Sequence, residues 1–135
     1  MTYKIIDIEG VGEAYAPKLQ KAGIVKVSDL LAKCAAPKGR AELAAATGIS
    51  EKLILKWTNH ADLFRVKGVG PQFSELLEAA GVDTVKEFRH RVADNLFQKI
   101  KETNDAKHLV RRIPSVKELE KMIALAKELK PVMTY

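Results

Sequence analysis

Two stretches of this chain follow one plan, 58 residues apart. The first is IIDIEGVGEAYAPKLQKAGIVKVSDL, from Ile5 to Leu30. The second is FRVKGVGPQFSELLEAAGVDTVKEF, from Phe64 to Phe88. In register, Ile8 matches Val66, Gly10 matches Gly68, Val11 matches Val69 and Gly12 matches Gly70. The match runs without a gap through Leu19 and Leu77, Ala22 and Ala80, Gly23 and Gly81, Ile24 and Val82, Val27 and Val85, Leu30 and Phe88. A repeat of this length is one supersecondary unit used twice, each copy needing a neighbour to cover its apolar face. The chain therefore divides into halves at 1–60 and 61–135, expected to share one core.

The unit is helical. PQFSELLEAAG opens with Pro71, favoured at a first helical position, and stops at Gly81, suited to a left-handed cap. Phe73, Leu76, Leu77 and Ala80 fall on one face at steps of three and four. Asp83 or Thr84 restarts a helix, and Thr84 with Glu87 has capping-box spacing. In the first copy Gly23 is the stop, and Ser28 or the turn before it is the restart. Further helices follow each copy. One begins at Pro37 and stops at Gly48, and another is capped by Ser50. DNLFQKIKETN leads to a basic connector, and a last helix has Ser115 and Glu118 as a capping box with Pro131 past its end. No strand pattern stands out, so the expectation is an all-α domain of nine or ten short helices.

Composition agrees with this class: the 135 residues are rich in Ala, Leu, Lys and Glu. No run of about 18 apolar residues suggests a membrane span, and the opening MTYKIIDIEG lacks the apolar core of a secretion signal. Cys34 is the single cysteine, which excludes an intramolecular disulfide and a Cys-rich metal site. A cytoplasmic setting is the default. The net charge is +6, and it is unevenly spread. Lys86 to Arg112 holds eight Lys/Arg against four acids, whereas Met1 to Ala36 holds five Lys against four acids.

Gly-Val-Gly lets two helices fold back on each other, because glycine accepts left-handed angles while the valine plugs the space between them. The following helix then presents unpaired N–H groups at the positive end of its dipole, a ready site for a phosphate oxygen.

VKGVGPQFSELLEAAGV and IEGVGEAYAPKLQKAGI resemble the helix-hairpin-helix superfamily, with an apolar-flanked Gly-x-Gly, a leucine seven residues on and a closing glycine. The longer pattern, with PKGRAELAAATGISEKLILKWTNHADLFRVKGVG and RRIPSVKELEKMI, resembles a bacterial family of unknown function built from such paired hairpins. The resemblance implies two hairpins packed as a pseudo-two-fold pair. It implies loop amides that grip duplex DNA by its backbone, in some members with a bound monovalent cation.

The two hairpins differ chemically. In the second, the donors would be the N–H groups of Gly68, Gly70 and Gln72 around Val69. Lys67 helps, with Arg65, Arg89 and Arg91 adding positive charge. Such contacts position a protein without reading sequence. Gly10, Val11 and Gly12 make the weaker site, since Glu9 and Glu13 flank them and repel phosphate. For both turns the bland alternative is that Gly-Val-Gly exists only to make the bend.

RAELAAATGISEKLILKW also has the spacing of a DNA-reading helix-turn-helix, which would expose Glu51, Lys52, Lys56 and Asn59. That set lacks Arg and Gln, and a plain Gly-linked helix pair explains it better. Lys99, Lys101, Lys107, His108, Arg111 and Arg112 could extend a basic strip or simply solvate a helical face. Trp57 is expected in the core, His60 at the surface or a cap, and Cys34 as a buried, idle thiol.

No Cys/His metal spacing, Walker loop, Gly-x-Ser-x-Gly or paired carboxylates appear, and Gly68-x-Gly70 lacks a dinucleotide site's third glycine. The expectation is a non-enzymatic, cofactor-free module binding nucleic-acid backbone, duplex DNA first. The other candidate is a protein–protein interaction or scaffold module that keeps the hairpins for shape. The sequence leaves its oligomeric state open.

Overall fold

The computed structural model describes residues 3–135. A single 3-10 turn (Ile5–Asp7) precedes helices α1 (Gly12–Lys21), α2 (Val27–Cys34), α3 (Pro37–Thr47), α4 (Glu51–Leu63), α5 (Pro71–Ala79), α6 (Val85–Phe88), α7 (Ala93–Lys107) and α8 (Val116–Glu128). Among the described residues no strand forms, only an isolated antiparallel bridge between Lys4 and Lys26. The chain is all-α. Among the described residues there are eight α-helices where nine or ten were expected, and the stretch before the first glycine turn forms only the 3-10 turn. At the basic connector His108 ends α7 with φ of +51°, and the Asn104 amide clamps Val110 from both sides, each bond 3.0 Å long.

Two compact units divide the chain. One runs to Asp62 and is rejoined by Val132–Tyr135, and the other is Leu63–Pro131. In the first, Ile5 N–H donates to Val25 O at 2.9 Å and Val27 N–H to Tyr3 O at 3.1 Å, laying the start of the chain beside the α1–α2 link. The Asp29 carboxylate receives the N–H groups of Lys26 and Val25 at the start of α2. These bonds, Lys26's foremost, hold its carboxyl below the usual range. Ile5, Leu19, Leu30, Ile54 and Trp57 lie in its interior.

The second unit buries Leu63, Val66, Leu76, Leu77, Val82, Val85, Phe88, Leu96, Ile100 and Leu119 in one cluster. Each large apolar side chain so buried contributes roughly 1.5–3 kcal/mol. Pro71 takes the first position of α5 as its sequence predicts. Ser115 and Glu118 form the expected capping box at α8: the Ser115 Oγ accepts Glu118 N–H, and the Glu118 carboxylate accepts Ser115 N–H, both at 3.1 Å. Thr84 caps α6 differently. Its hydroxyl donates to the Glu87 carboxylate at 2.9 Å rather than accepting a backbone N–H. Among the described residues no helix is long and apolar enough to cross a membrane.

Candidate nucleic-acid interface

The second glycine turn is closed by two backbone bonds, Val66 N–H to Leu63 O and Val69 N–H to Val66 O, both 3.1 Å. Gly68 has φ of +98°, a left-handed angle that a side chain would strain, and Met122 Cε would sit 3.2 Å from a Cβ placed there. Val69 is buried and its amide is used inside the turn, so it plugs the bend and offers nothing outward. Gly70 is extended (φ −109°, ψ −174°) and caps α5, where Ser74 N–H returns to Gly70 O at 2.9 Å. Among the described residues the amides of Gly68, Gly70 and Gln72 donate no backbone hydrogen bond. Lys67, Gly68 and Gln72 are exposed, and Gly70 partly so. The Gly70 and Gln72 amides belong to the cap and first turn of α5, whose donors cannot be met within the helix, whereas Gly68 lies in the turn before it.

At the far end of α5, Gly81 N–H donates to Glu78 O (3.0 Å) and Val82 N–H to Leu77 O (2.8 Å), a Schellman arrangement with Gly81 at φ +94°. The first copy carries the same bonds. Ile8 N–H reaches Ile5 O (3.1 Å), Val11 N–H reaches Ile8 O (3.2 Å), Gly23 N–H reaches Gln20 O (3.0 Å) and Ile24 N–H reaches Leu19 O (2.9 Å). Gly10 and Gly23 match their counterparts at φ +91° and +87°. The copies part at the third position of the motif, where Gly12 has φ +53° and already belongs to α1. Beneath the first turn lies Trp57, its Nε1 3.7 Å from where a Gly10 Cβ would be, with its ring 5.1 Å from that of Tyr15. Glu9 and Glu13 are exposed there.

The arginines take unequal parts. Arg65 donates its Nη2 to Lys130 O and Arg89 its Nη2 to Lys127 O, each at 2.8 Å. Both thus serve carbonyls at the C-terminal end of α8, where cations are favoured. Arg91 is half-buried, with its Nη1 beside Gly81. Arg112, placed by sequence only in a general basic strip, lines a depression of about 180 Å³ together with Gly68, Phe73, Val110, Pro114, Glu118 and Met122. Its Nη2 meets the Glu118 carboxylate at 2.6 Å, although the guanidinium side chain is 74% exposed. That bond, ahead of the Ser115 amide, pulls the Glu118 carboxyl down to about 2. No local pattern could have placed Arg112 beside Gly68, since the pairing crosses more than forty residues.

Other expectations resolve elsewhere. Trp57 is core and Cys34 is buried, its thiol pushed up by burial against the opposing pull of Lys33 and Arg40. His60 is wholly buried, not superficial, and Asn59, which a groove-reading helix would have to expose, is buried too. The reason is that α4 is enclosed on every side from Trp57 to Leu63. Gly48 does provide the left-handed turn (φ +74°) between α3 and α4, and Ser50 Oγ accepts Leu53 N–H at 3.2 Å. Among the described residues no group of three or more His, Cys, Asp or Glu could hold a metal ion.

These features define an all-helical protein with two glycine turns closed by the same backbone bonds, one flanked by lysine and one by glutamates. The chain belongs to the family described as Domain of unknown function (DUF4332), whose model matches residues 9–129. No curated protein and no solved structure matches it.

Proposed function

We propose that the protein is a non-enzymatic, sequence-tolerant module that binds nucleic-acid backbone, duplex DNA foremost, through the second of two tandem helix-hairpin-helix motifs. The observation that carries this reading is the set of amides at Gly68, Gly70 and Gln72, which find no backbone acceptor and belong to exposed or partly exposed residues beside Lys67. A phosphate oxygen meets both needs of such a site, hydrogen-bond acceptance and negative charge. Arg65 and Arg89 act in this reading as supports of α8, and Arg112 lines a depression together with Gly68. The setting we propose is the cytoplasm.

Anisotropy of a short fluorescein-labelled duplex, titrated at low and moderate salt, tests the reading. Binding should weaken steeply with salt, and Lys67→Gln should lower the slope of log K against log salt by about one. Lys67→Glu should weaken binding at low salt by about tenfold or more. Salt-insensitive binding, or equal binding by Lys67→Glu, would rule it out.

A further inference from the structure

The depression of about 180 Å³ beside the second glycine turn lies wholly within the second unit. Its lining is of two kinds. Phe73, Val110 and Met122 pack against the buried cluster yet are only partly covered, and with Pro114 they make the apolar part. Arg112 and Glu118 make the polar part. Gly68 belongs both to this lining and to the turn that carries the proposed phosphate site.

Size and charge narrow what can enter. Sites for drug-sized ligands run to roughly 300–1,000 Å³, so this smaller space suits a single ring system. A phosphate is disfavoured inside it, since the Glu118 carboxylate repels one at close range. That carboxylate is balanced by Arg112 Nη2 at 2.6 Å, so the lining as a whole favours an uncharged guest. The pair still has hydrogen bonds to give. Among the described residues every bond to the Glu118 carboxylate falls on Oε1, which leaves Oε2 to accept. Arg112 engages only Nη2 there, and a guanidinium has further N–H groups to donate. A nucleobase meets all of these conditions. It is flat and uncharged, its face packs on an aromatic ring or a thioether, and its edge carries donors beside acceptors.

We propose that this depression receives one unpaired base of a DNA strand whose phosphate sits at the Gly68 turn. Phe73 and Met122 contact the face of that base, while Arg112 and Glu118 bond its edge. This rests on the phosphate reading of the turn and names the part of the DNA that the neighbouring surface takes. A base within a duplex is stacked and paired and must first be extruded. The preferred ligand is therefore a duplex carrying an unpaired nucleotide.

The test is anisotropy of the full chain on fluorescein-labelled duplexes that differ at a single place: fully paired, with a bulged thymidine, or with a bulged abasic nucleotide. The bulged pair carry the same phosphates, so their ratio isolates the base. The thymidine bulge should bind at least about fivefold more tightly than the abasic one. Phe73→Leu keeps apolar bulk but removes the ring, and should narrow that ratio to under about twofold. Arg112→Ala, at a largely exposed side chain, should narrow it as well. Equal binding of the two bulged duplexes, with salt sensitivity retained, overturns the base site and leaves the phosphate reading standing. Loss of salt-sensitive binding to every duplex overturns both. A full ratio in Arg112→Ala, or in a Phe73→Leu chain of normal helical circular dichroism, also overturns the base site.

Discussion

A Cβ on Gly39 would lie 1.7 Å from the carbonyl oxygen of Lys33 and 2.8 Å from its carbon, backbone atoms that no side-chain rotation moves. The first turn of α3 is pressed that closely on the end of α2, and this contact helps place Arg40. Gly12 is the opposite case: its φ is +53°, but nothing stands within 4 Å of its would-be Cβ. Gly39→Ala should therefore cost about 2–3 kcal/mol, while Gly12→Asn, a residue that tolerates left-handed angles, should cost under about 1 kcal/mol. Urea unfolding of both variants decides this, and a smaller loss for Gly39→Ala would show that the helix ends separate readily. Arg89 is also structural at this scale. Arg89→Ala should remove about 0.5–1.5 kcal/mol with the bond to Lys127 O, while leaving the salt slope of DNA binding unchanged. A flattened slope would instead place Arg89 on the phosphates.

Helix ends are where residue chemistry becomes architecture, and α8 shows it most fully. Ser115→Ala should lower stability by about 1 kcal/mol through loss of the cap. Glu118 adds a pH signature. Its carboxyl is held at about 2 in the folded protein against an ordinary 4.5. A depressed carboxylate stabilises the fold above its unfolded value, and that stabilisation fades as pH falls through 4.5 toward about 2. The stability gap between the unaltered protein and Glu118→Gln should thus be constant near neutrality and close over that acid range, as read by denaturant titration at several pH values. A gap that ignores pH would mean that the Arg112 and Ser115 bonds to this carboxylate do not persist in solution. Element boundaries such as Pro37, Gly48, Ser50, Pro71, Gly81 and Ser115 were legible because each cap acts within four residues of chain. The partners of Arg65 and Arg89 were not, lying 65 and 38 residues away. Nor was the burial of Thr58, Asn59, His60 and Asp62, since a polar run on a helix reads as solvated until its surroundings are known.

Charge separates the two halves of the molecule at the largest scale. Leu63–Pro131 carries fourteen Lys/Arg against ten acids, whereas the first unit carries nine against seven. The contrast sharpens at the turns, where Glu9 stands at the position of Lys67 and Glu13, in the first turn of α1, stands at the position of Pro71, which opens α5. In the proposed reading two features weaken the first turn as a phosphate site: these carboxylates, and the left-handed Gly12 where Gly70 is extended. Coulomb repulsion at a few ångströms acts on any phosphate that approaches, while the backbone difference alters the aim of only one amide. Charge should therefore dominate. A Glu9→Lys, Glu13→Gln protein should bind duplex DNA with a salt slope steeper by about one, the mark of one added phosphate contact. Adding Lys67→Gln to it should return the slope to that of the unaltered protein. If the double variant instead keeps the original slope while remaining folded, the left-handed Gly12, not the glutamates, is what closes the first turn to anions.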